Sequence, residues 1–131
     1  MIRIRARRRG DGLELSARGH AGYASPGQDI VCAGVSALLF GYIAYLEGLS
    51  PIATANGSSS EGEPPHLEIT EGDGYLRVRT RGLAGRDVEA WRVTEAGLSL
   101  IVSAYPAYAA VDPVPSQTQE KGERYESKPN A

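Results

Sequence analysis

The first eighteen residues alternate between apolar and charged or polar side chains. Residues 2–7 and 13–18 both follow a period of two, which is the pattern of strands that bury one face. A Gly-Asp-Gly sequence at 10–12 separates the two runs, and its glycines permit the positive φ angles of a tight turn. The pattern therefore predicts an antiparallel hairpin whose second strand leads directly to His20.

An apolar segment at residues 30–46 follows a loop of small and turn-forming residues at 21–28. Asp29 lies between the two and is a suitable N-cap, because its carboxylate can accept hydrogen bonds from the free amides of the first helical turn. Gly48 marks the end of the segment. Since apolar side chains fall on nearly every face, the sequence predicts a helix that is largely buried.

The second half of the chain repeats the hairpin pattern and then becomes helical. After a polar, flexible excursion at 56–65, residues 67–70 and 75–80 flank a second Gly-Asp-Gly turn. A second helix is predicted to begin near Gly85 and to end before Pro106, although the glycine at position 97 lowers its helical propensity.

A short edge strand at 108–111 is compatible with the residues that follow the second helix. The segment 112–131 has little to bury and is predicted to be a disordered tail. The elements together predict an α+β fold in one small domain, residues 1–111, with an antiparallel sheet of two hairpins and two helices.

Composition narrows the classes of function without choosing one. The 131 residues carry a net charge of −2, which gives no overall attraction to nucleic acid or membrane, and the apolar segment at 30–46 suits a core helix better than a membrane span. Five arginines nevertheless crowd the first nine positions, a pattern typical of an exposed strand face that discourages aggregation. One cysteine excludes an internal disulfide, and the absence of a signal peptide favours the cytosol.

Cys32 and His20 are the candidate reactive pair. With Asp29 as N-cap, Cys32 is the third helical residue, where the helix dipole favours a thiolate and backbone amides could bind an oxyanion. The loop after His20 is long enough to return to this helix start, so the imidazole could act as a base. Spacing alone equally allows a small buried cysteine and a surface histidine.

Two further polar residues near Cys32 each have two interpretations, and the second histidine has a simpler one. Asp29 could orient His20, but capping alone also explains it. Ser36 lies one turn after Cys32 and could face the same side, or its hydroxyl could bond back to the Cys32 carbonyl. His66 is interpreted as structural or exposed.

Two runs of sequence resemble a known signature. Residues 19–24 read GHAGYA and residues 27–38 read GQDIVCAGVSAL, and this combination, in this order, closely resembles the ribosomal-processing cysteine protease (Prp) family. The YPAY sequence at 105–108 is similar to the way in which family members end their second helix. The resemblance extends over about residues 1–111.

The resemblance implies a small, usually dimeric α+β protease of the cytoplasm. It implies that His20 and Cys32 are the catalytic pair and that Asp29 and Ser36 are accompanying polar residues. The implied reaction removes a short N-terminal extension from the twenty-seventh protein of the large ribosomal subunit. We expect no cofactor, no metal and no membrane partner, and no nucleic acid is required for the reaction.

Two other functions remain open from the residues themselves. One is a non-enzymatic ribosome-associated or RNA-binding module that uses the N-terminal arginine strand, which would bind RNA without Cys32. The other is a thiol-dependent acyl transferase or non-peptide hydrolase that shares the same residues. For a protease, the apolar surroundings of Cys32 predict a preference for an apolar or aromatic residue before the cleaved bond.

Overall fold

Two hairpins and a short edge strand form one mixed sheet. The computed structural model describes residues 1–48 and 64–112. The strands, in chain order, are β1 (Ile2–Arg9), β2 (Gly12–Arg18), β3 (His66–Gly72), β4 (Tyr75–Arg81) and β5 (Ala109–Val111). Their spatial order is β3-β4-β2-β1-β5, with every pair antiparallel except β1 and β5. The central strand is therefore β2, which delivers His20 at its end.

Two helices, α1 (Ile30–Leu46) and α2 (Gly85–Ala104), pack against each other and against the sheet. They come closest at glycines. A Cβ at Gly97 would lie 3.0 Å from the Leu38 side chain, and one at Gly34 would lie 3.1 Å from Ile101. The glycine that weakens α2 as an isolated helix therefore allows the close approach of α1.

The core lies between the helices and one face of the sheet. Alternate residues of the central strands point into it, while charged residues occupy the opposite face. The most deeply buried large side chains belong to strands and helices alike: Ile4, Leu15, Leu39, Leu98, Val31 and Val78. The architecture is therefore a two-layer α+β domain with one open sheet face.

The predicted α+β class, the two hairpins and the two helices are confirmed, and the N-terminus of α1 falls at the predicted residue. The sheet differs in one respect, because β5 pairs with β1 in parallel and makes the sheet mixed. Helix α1 is less buried than predicted, since Ile30 is 55% exposed and Phe40 is 43% exposed. Within the two described ranges, no helix is long and apolar enough to cross a membrane. The predicted excursion at 56–65, except its last two residues, and the predicted tail after Asp112 lie outside the described residues.

Candidate active site

The backbone around His20 is held on both sides. The Gly19 amide donates to the Gly74 carbonyl at 2.8 Å, and the Met1 ammonium donates to the His20 carbonyl at 2.7 Å. These bonds tie the exit of β2 to the β3–β4 turn and to the beginning of β1. His20 therefore leaves the sheet at a fixed point, although its side chain is exposed.

The imidazole of His20 lies directly over the β3–β4 turn. Gly74 has a φ of +67°, and a Cβ there would lie 2.7 Å from His20 Nε2. The neighbouring Asp73 places Oδ1 3.4 Å from the same nitrogen, with its side chain almost fully exposed. The second hairpin turn therefore supplies both the space for the ring and a carboxylate beside it.

Asp29 caps α1 as predicted. Its Oδ1 accepts from the Cys32 amide at 2.9 Å, and its Oδ2 accepts from the amides of Tyr23 and Ala24 at 3.0 and 3.4 Å. These bonds, led by that from Cys32, lower the pKa of Asp29 below its usual 3.8 although partial desolvation opposes them. Asp29 thus stays ionised and joins the helix start to the preceding loop.

The alternative interpretation of Asp29, in which it orients His20, does not correspond to a contact in the structure. Both oxygens of Asp29 are occupied by backbone amides, and the carboxylate beside His20 belongs to Asp73. The Cys32 amide donates its hydrogen bond to Asp29, so it is not free to bind an oxyanion while Asp29 caps the helix. Sequence reasoning missed Asp73 because it lies on a different hairpin, far from His20 along the chain.

His20, Cys32 and Ser36 line the same pocket, which has a volume of about 160 Å³. Cys32, Ser36 and Phe40 follow one another at intervals of four residues, so they form a stripe along one side of α1. The rest of the lining consists of the apolar residues Ile2, Ala17, Val35, Leu39 and Leu76, together with Glu71, Tyr75 and three glycines, Gly19, Gly72 and Gly74. The pocket therefore combines a half-buried thiol, an imidazole and a hydroxyl with a wall that is mainly apolar.

The Ser36 hydroxyl is not bonded to the Cys32 carbonyl. Thr94 and Ser99 on α2 do make that bond to the residue four positions earlier, each at 3.0 Å. No such bond joins Ser36 and Cys32, although both are among the described residues. Of the two interpretations of Ser36, the structure agrees with the one in which it faces the pocket beside Cys32.

The loop at 21–28 is anchored through Tyr23. The Tyr23 ring makes edge-to-face contacts with Tyr105 and Tyr108, with centroids 5.5 and 5.2 Å apart. Glycines at 22 and 27 adopt positive φ angles of 71° and 88° within the same loop. The loop between His20 and Cys32 therefore contains two glycines in the left-handed conformation and one aromatic anchor.

The remaining histidine lies elsewhere. His66 begins β3 with its side chain 55% exposed, 4.0 Å from a Glu68 oxygen, and it does not line the pocket. This agrees with its interpretation as an exposed residue. Within 1–48 and 64–112, no group of three or more histidine, cysteine or acidic side chains is arranged to hold a metal ion.

Comparison with known families gives a match over most of the chain. The family model described as cysteine protease Prp matches residues 1–110. The chain belongs to the Prp family. It is accordingly a cysteine protease, as the two sequence runs around His20 and Cys32 predicted.

Known Prp proteins are similar in sequence and in fold. The ribosomal processing cysteine protease Prp of Mycoplasma pneumoniae is 53% identical over 75 residues, which cover 54% of this chain and 75% of that protein. The crystal structure of Prp from S. aureus with a covalently linked product peptide has a TM-score of 0.67 at 22% identity, covering 86% of this chain and 98% of the other. Prp from S. aureus with a substrate peptide gives 0.58 at 23% identity over the same shares. At these identities, the two structures establish the shared Prp fold.

Proposed function

We propose that this protein is an endopeptidase that removes a short N-terminal extension from the twenty-seventh protein of the large ribosomal subunit. The observation that carries the proposal is that His20 and Cys32 line one pocket in a chain of the Prp family. The name of the Mycoplasma pneumoniae relative, a ribosomal processing protease, supports this class of substrate. The apolar wall of the pocket supports an apolar or aromatic residue before the cleaved bond.

In the proposed mechanism, His20 accepts the proton of the Cys32 thiol, and the resulting thiolate attacks the carbonyl carbon of the scissile bond. The tetrahedral intermediate collapses to a thioester, and His20 donates the proton to the departing amine. Water, deprotonated by His20, then attacks the thioester and releases the new carboxylate and the thiol. Ser36 is placed to contact the substrate beside Cys32, and Asp29 holds the helix start that presents the nucleophile.

The Cys32 amide at the start of α1 is not available to bind the oxyanion. It donates to Asp29 at 2.9 Å. The oxyanion that forms when the sulfur attacks the carbonyl must therefore be bound by other donors or must displace this hydrogen bond. The Ser36 hydroxyl, without a bond to the Cys32 carbonyl, is one donor on the pocket wall. This assignment makes Ser36 a residue that contacts the reacting carbonyl.

The test is cleavage of the host's ribosomal protein, with its extension, followed by mass spectrometry. Cys32→Ala and His20→Ala are expected to abolish cleavage while circular dichroism shows an intact fold. His66→Ala is the matched control, because His66 is the only other histidine of the chain and lies outside the pocket. Wild-type cleavage by Cys32→Ala would overturn the proposal.

The covalent step has its own measurement. Rapid acid quenching of the wild-type reaction, followed by intact-mass analysis, is expected to show the protein carrying the acyl portion of the extension on Cys32. Cys32→Ser is expected to lack the hydroxylamine-sensitive thioester. A wild-type reaction that transfers the acyl group to a non-water acceptor in preference to hydrolysis would instead favour an acyl transferase.

Two properties of the family are carried over in the same proposal. The protein is proposed to act in the cytoplasm, where its substrate is made, and to form a homodimer. Apolar residues exposed on α2, Val93 and Leu100, lie two turns apart on one side of the helix and are 74% and 73% exposed. Sedimentation of the wild type and of Leu100→Glu tests the dimer, which the charged variant is expected to dissociate.

A further inference from the structure

Eight arginines lie on the open face of the sheet, opposite the helices. Strand register places the arginines of β1 beside those of β2 and β4, on the same side of the sheet. We call this set the arginine face; it consists of Arg3, Arg5, Arg7, Arg9, Arg18, Arg77, Arg79 and Arg81. All eight are exposed, and successive positions along a strand are about 6.8 Å apart.

The face carries few compensating charges. Glu14 on the central strand lies within 3.5 Å of Arg7, Arg9 and Arg79. Asp112 lies 3.3 Å from Arg3 and 4.0 Å from Arg5.

Glu68 is the third acidic residue on this face, and it lies across from Arg79 on β3. Among the described residues, Arg77 and Arg81 have no carboxylate partner in an ion pair, and Arg18 stacks on the Tyr75 ring at 5.2 Å. Eight cations therefore face three carboxylates, although the whole chain is slightly acidic.

Glu14 shows how strongly positive this surface is. Desolvation raises the pKa of Glu14, but the guanidinium groups of Arg9, Arg7, Arg79 and Arg77 outweigh it and hold the pKa below its usual value. A single carboxylate thus stabilises several arginines without neutralising them. Any further anion that approaches the face meets the same field.

Shape and charge together select the partner. The face contains an open depression of about 570 Å³ lined by four arginines and three other residues: Arg5, Arg7, Arg18 and Arg77, with Glu14, Leu15 and Ser16. Guanidinium groups bind phosphate oxygens with two parallel hydrogen bonds, and an array with strand spacing can contact several phosphates of one backbone. A second copy of this chain is disfavoured here, because a symmetric contact would bring arginine against arginine.

We propose that the arginine face binds the phosphate backbone of RNA. The face is separate from the pocket, so RNA binding does not depend on the proposed protease function and adds to it. The two are nevertheless adjacent, since Arg18 lies two residues before His20 and Tyr75, on which it stacks, also lines the pocket. Bound RNA would hold the protease beside a substrate that is itself associated with RNA.

The first experiment measures the affinity of the full chain for an RNA duplex of about 20 base pairs by fluorescence anisotropy, between about 50 and 200 mM salt. If the net charge of the face, about five, neutralises the same number of phosphates, the logarithm of the association constant should fall linearly with the logarithm of the salt concentration, with a slope of about −4 to −5. The double variant Arg5→Gln/Arg77→Gln should reduce that slope by about 2. Arg92→Gln, an exposed arginine of α2, should leave it unchanged.

A gain of affinity provides the second arm. Glu14→Gln removes the carboxylate that competes for three arginines, so RNA binding should become tighter even if the variant is less stable. Loss of structure would instead weaken binding. Cleavage of a short peptide substrate should be unchanged in all of these variants, which separates a failure of RNA binding from a failure of the proposed protease function.

Three results of these measurements would overturn the proposal, and a fourth comes from competing anions. These are wild-type RNA binding without salt dependence, equal losses in the Arg5/Arg77 and Arg92 variants, and weaker binding by a folded Glu14→Gln variant. Binding of polyglutamate or of anionic vesicles with the same affinity as the RNA duplex would also overturn it, because the face would then recognise negative charge alone.

Discussion

Replacement of Gly74 by alanine tests whether the position of His20 over the β3–β4 turn matters for catalysis. The new Cβ would lie 2.7 Å from His20 Nε2, whereas ordinary contacts begin near 3.4 Å, so the ring must move by about 0.7 Å or more. Displacements near 1 Å in a catalytic group can lower rates by about 100-fold. We expect kcat/KM of Gly74→Ala to fall roughly 10- to 100-fold.

The same substitution also strains the backbone, and that effect must be separated. A φ of +67° costs a non-glycine residue about 1–2 kcal/mol, equivalent to a decrease in Tm of roughly 4–12 °C. Gly10→Ala is the matched control, because Gly10 has a φ of +58° in the other hairpin turn and a Cβ there meets nothing within 4 Å. The two variants should lose similar stability.

The assay compares peptide cleavage and thermal unfolding of both variants under the same conditions. At temperatures well below the Tm of both variants, only Gly74→Ala should have reduced activity. Equal activity of the two variants would show that the ring position over the turn is not the catalytic one, and the reasoning from this contact would fail.

Three further substitutions probe the surroundings of the site. Tyr23→Ala removes two edge-to-face contacts worth about 0.5–1.5 kcal/mol each, so proteolytic cleavage within the loop should accelerate roughly 5- to 150-fold, whereas Tyr23→Phe should behave as wild type. Asp29→Asn should lower Tm at neutral pH. Because the pKa of Asp29 is lower in the folded protein, the loss of Tm should be complete above pH 3.8 and should shrink as the pH falls through the pKa of the folded state. A loss of Tm that stays constant throughout the acid range would contradict the charge argument. Asp73→Asn should lower kcat/KM by less than about fivefold, since exposed pairs contribute little, and a 100-fold loss measured in the same assay would instead make Asp73 a positioning residue for His20.

Local features of the fold followed from the sequence because their causes are local. Alternation with a period of two identified the hairpins, and a polar residue before an apolar run identified Asp29 as the cap of α1. The parallel pairing of β5 could not be predicted, because three residues of strand pattern do not specify a partner or a direction. The exposed side of α1 was missed because a uniformly apolar helix does not indicate which side faces solvent.

The residues of the candidate site also divide into those that are close in sequence and those that only strand pairing brings together. Cys32, His20 and Asp29 lie close together in the sequence, so their proximity to one helix start could be inferred. The position of Asp73 beside His20 depends on the pairing of two distant hairpins, and only the structure shows it. The arginine face has the same origin, because the register of β2 with β4 brings Arg77 and its neighbours next to the N-terminal arginines.

The two oxygens of Asp29 connect the loop at 21–28 to the start of α1. One oxygen holds the Cys32 amide, and the other holds the loop through the Tyr23 and Ala24 amides. If Tyr23 and Ala24 move away from α1, this carboxylate loses two donors and keeps the Cys32 amide. The position of the loop and the hydrogen bonding of the helix start therefore depend on one side chain, so that moving the first changes the electrostatic environment of the second.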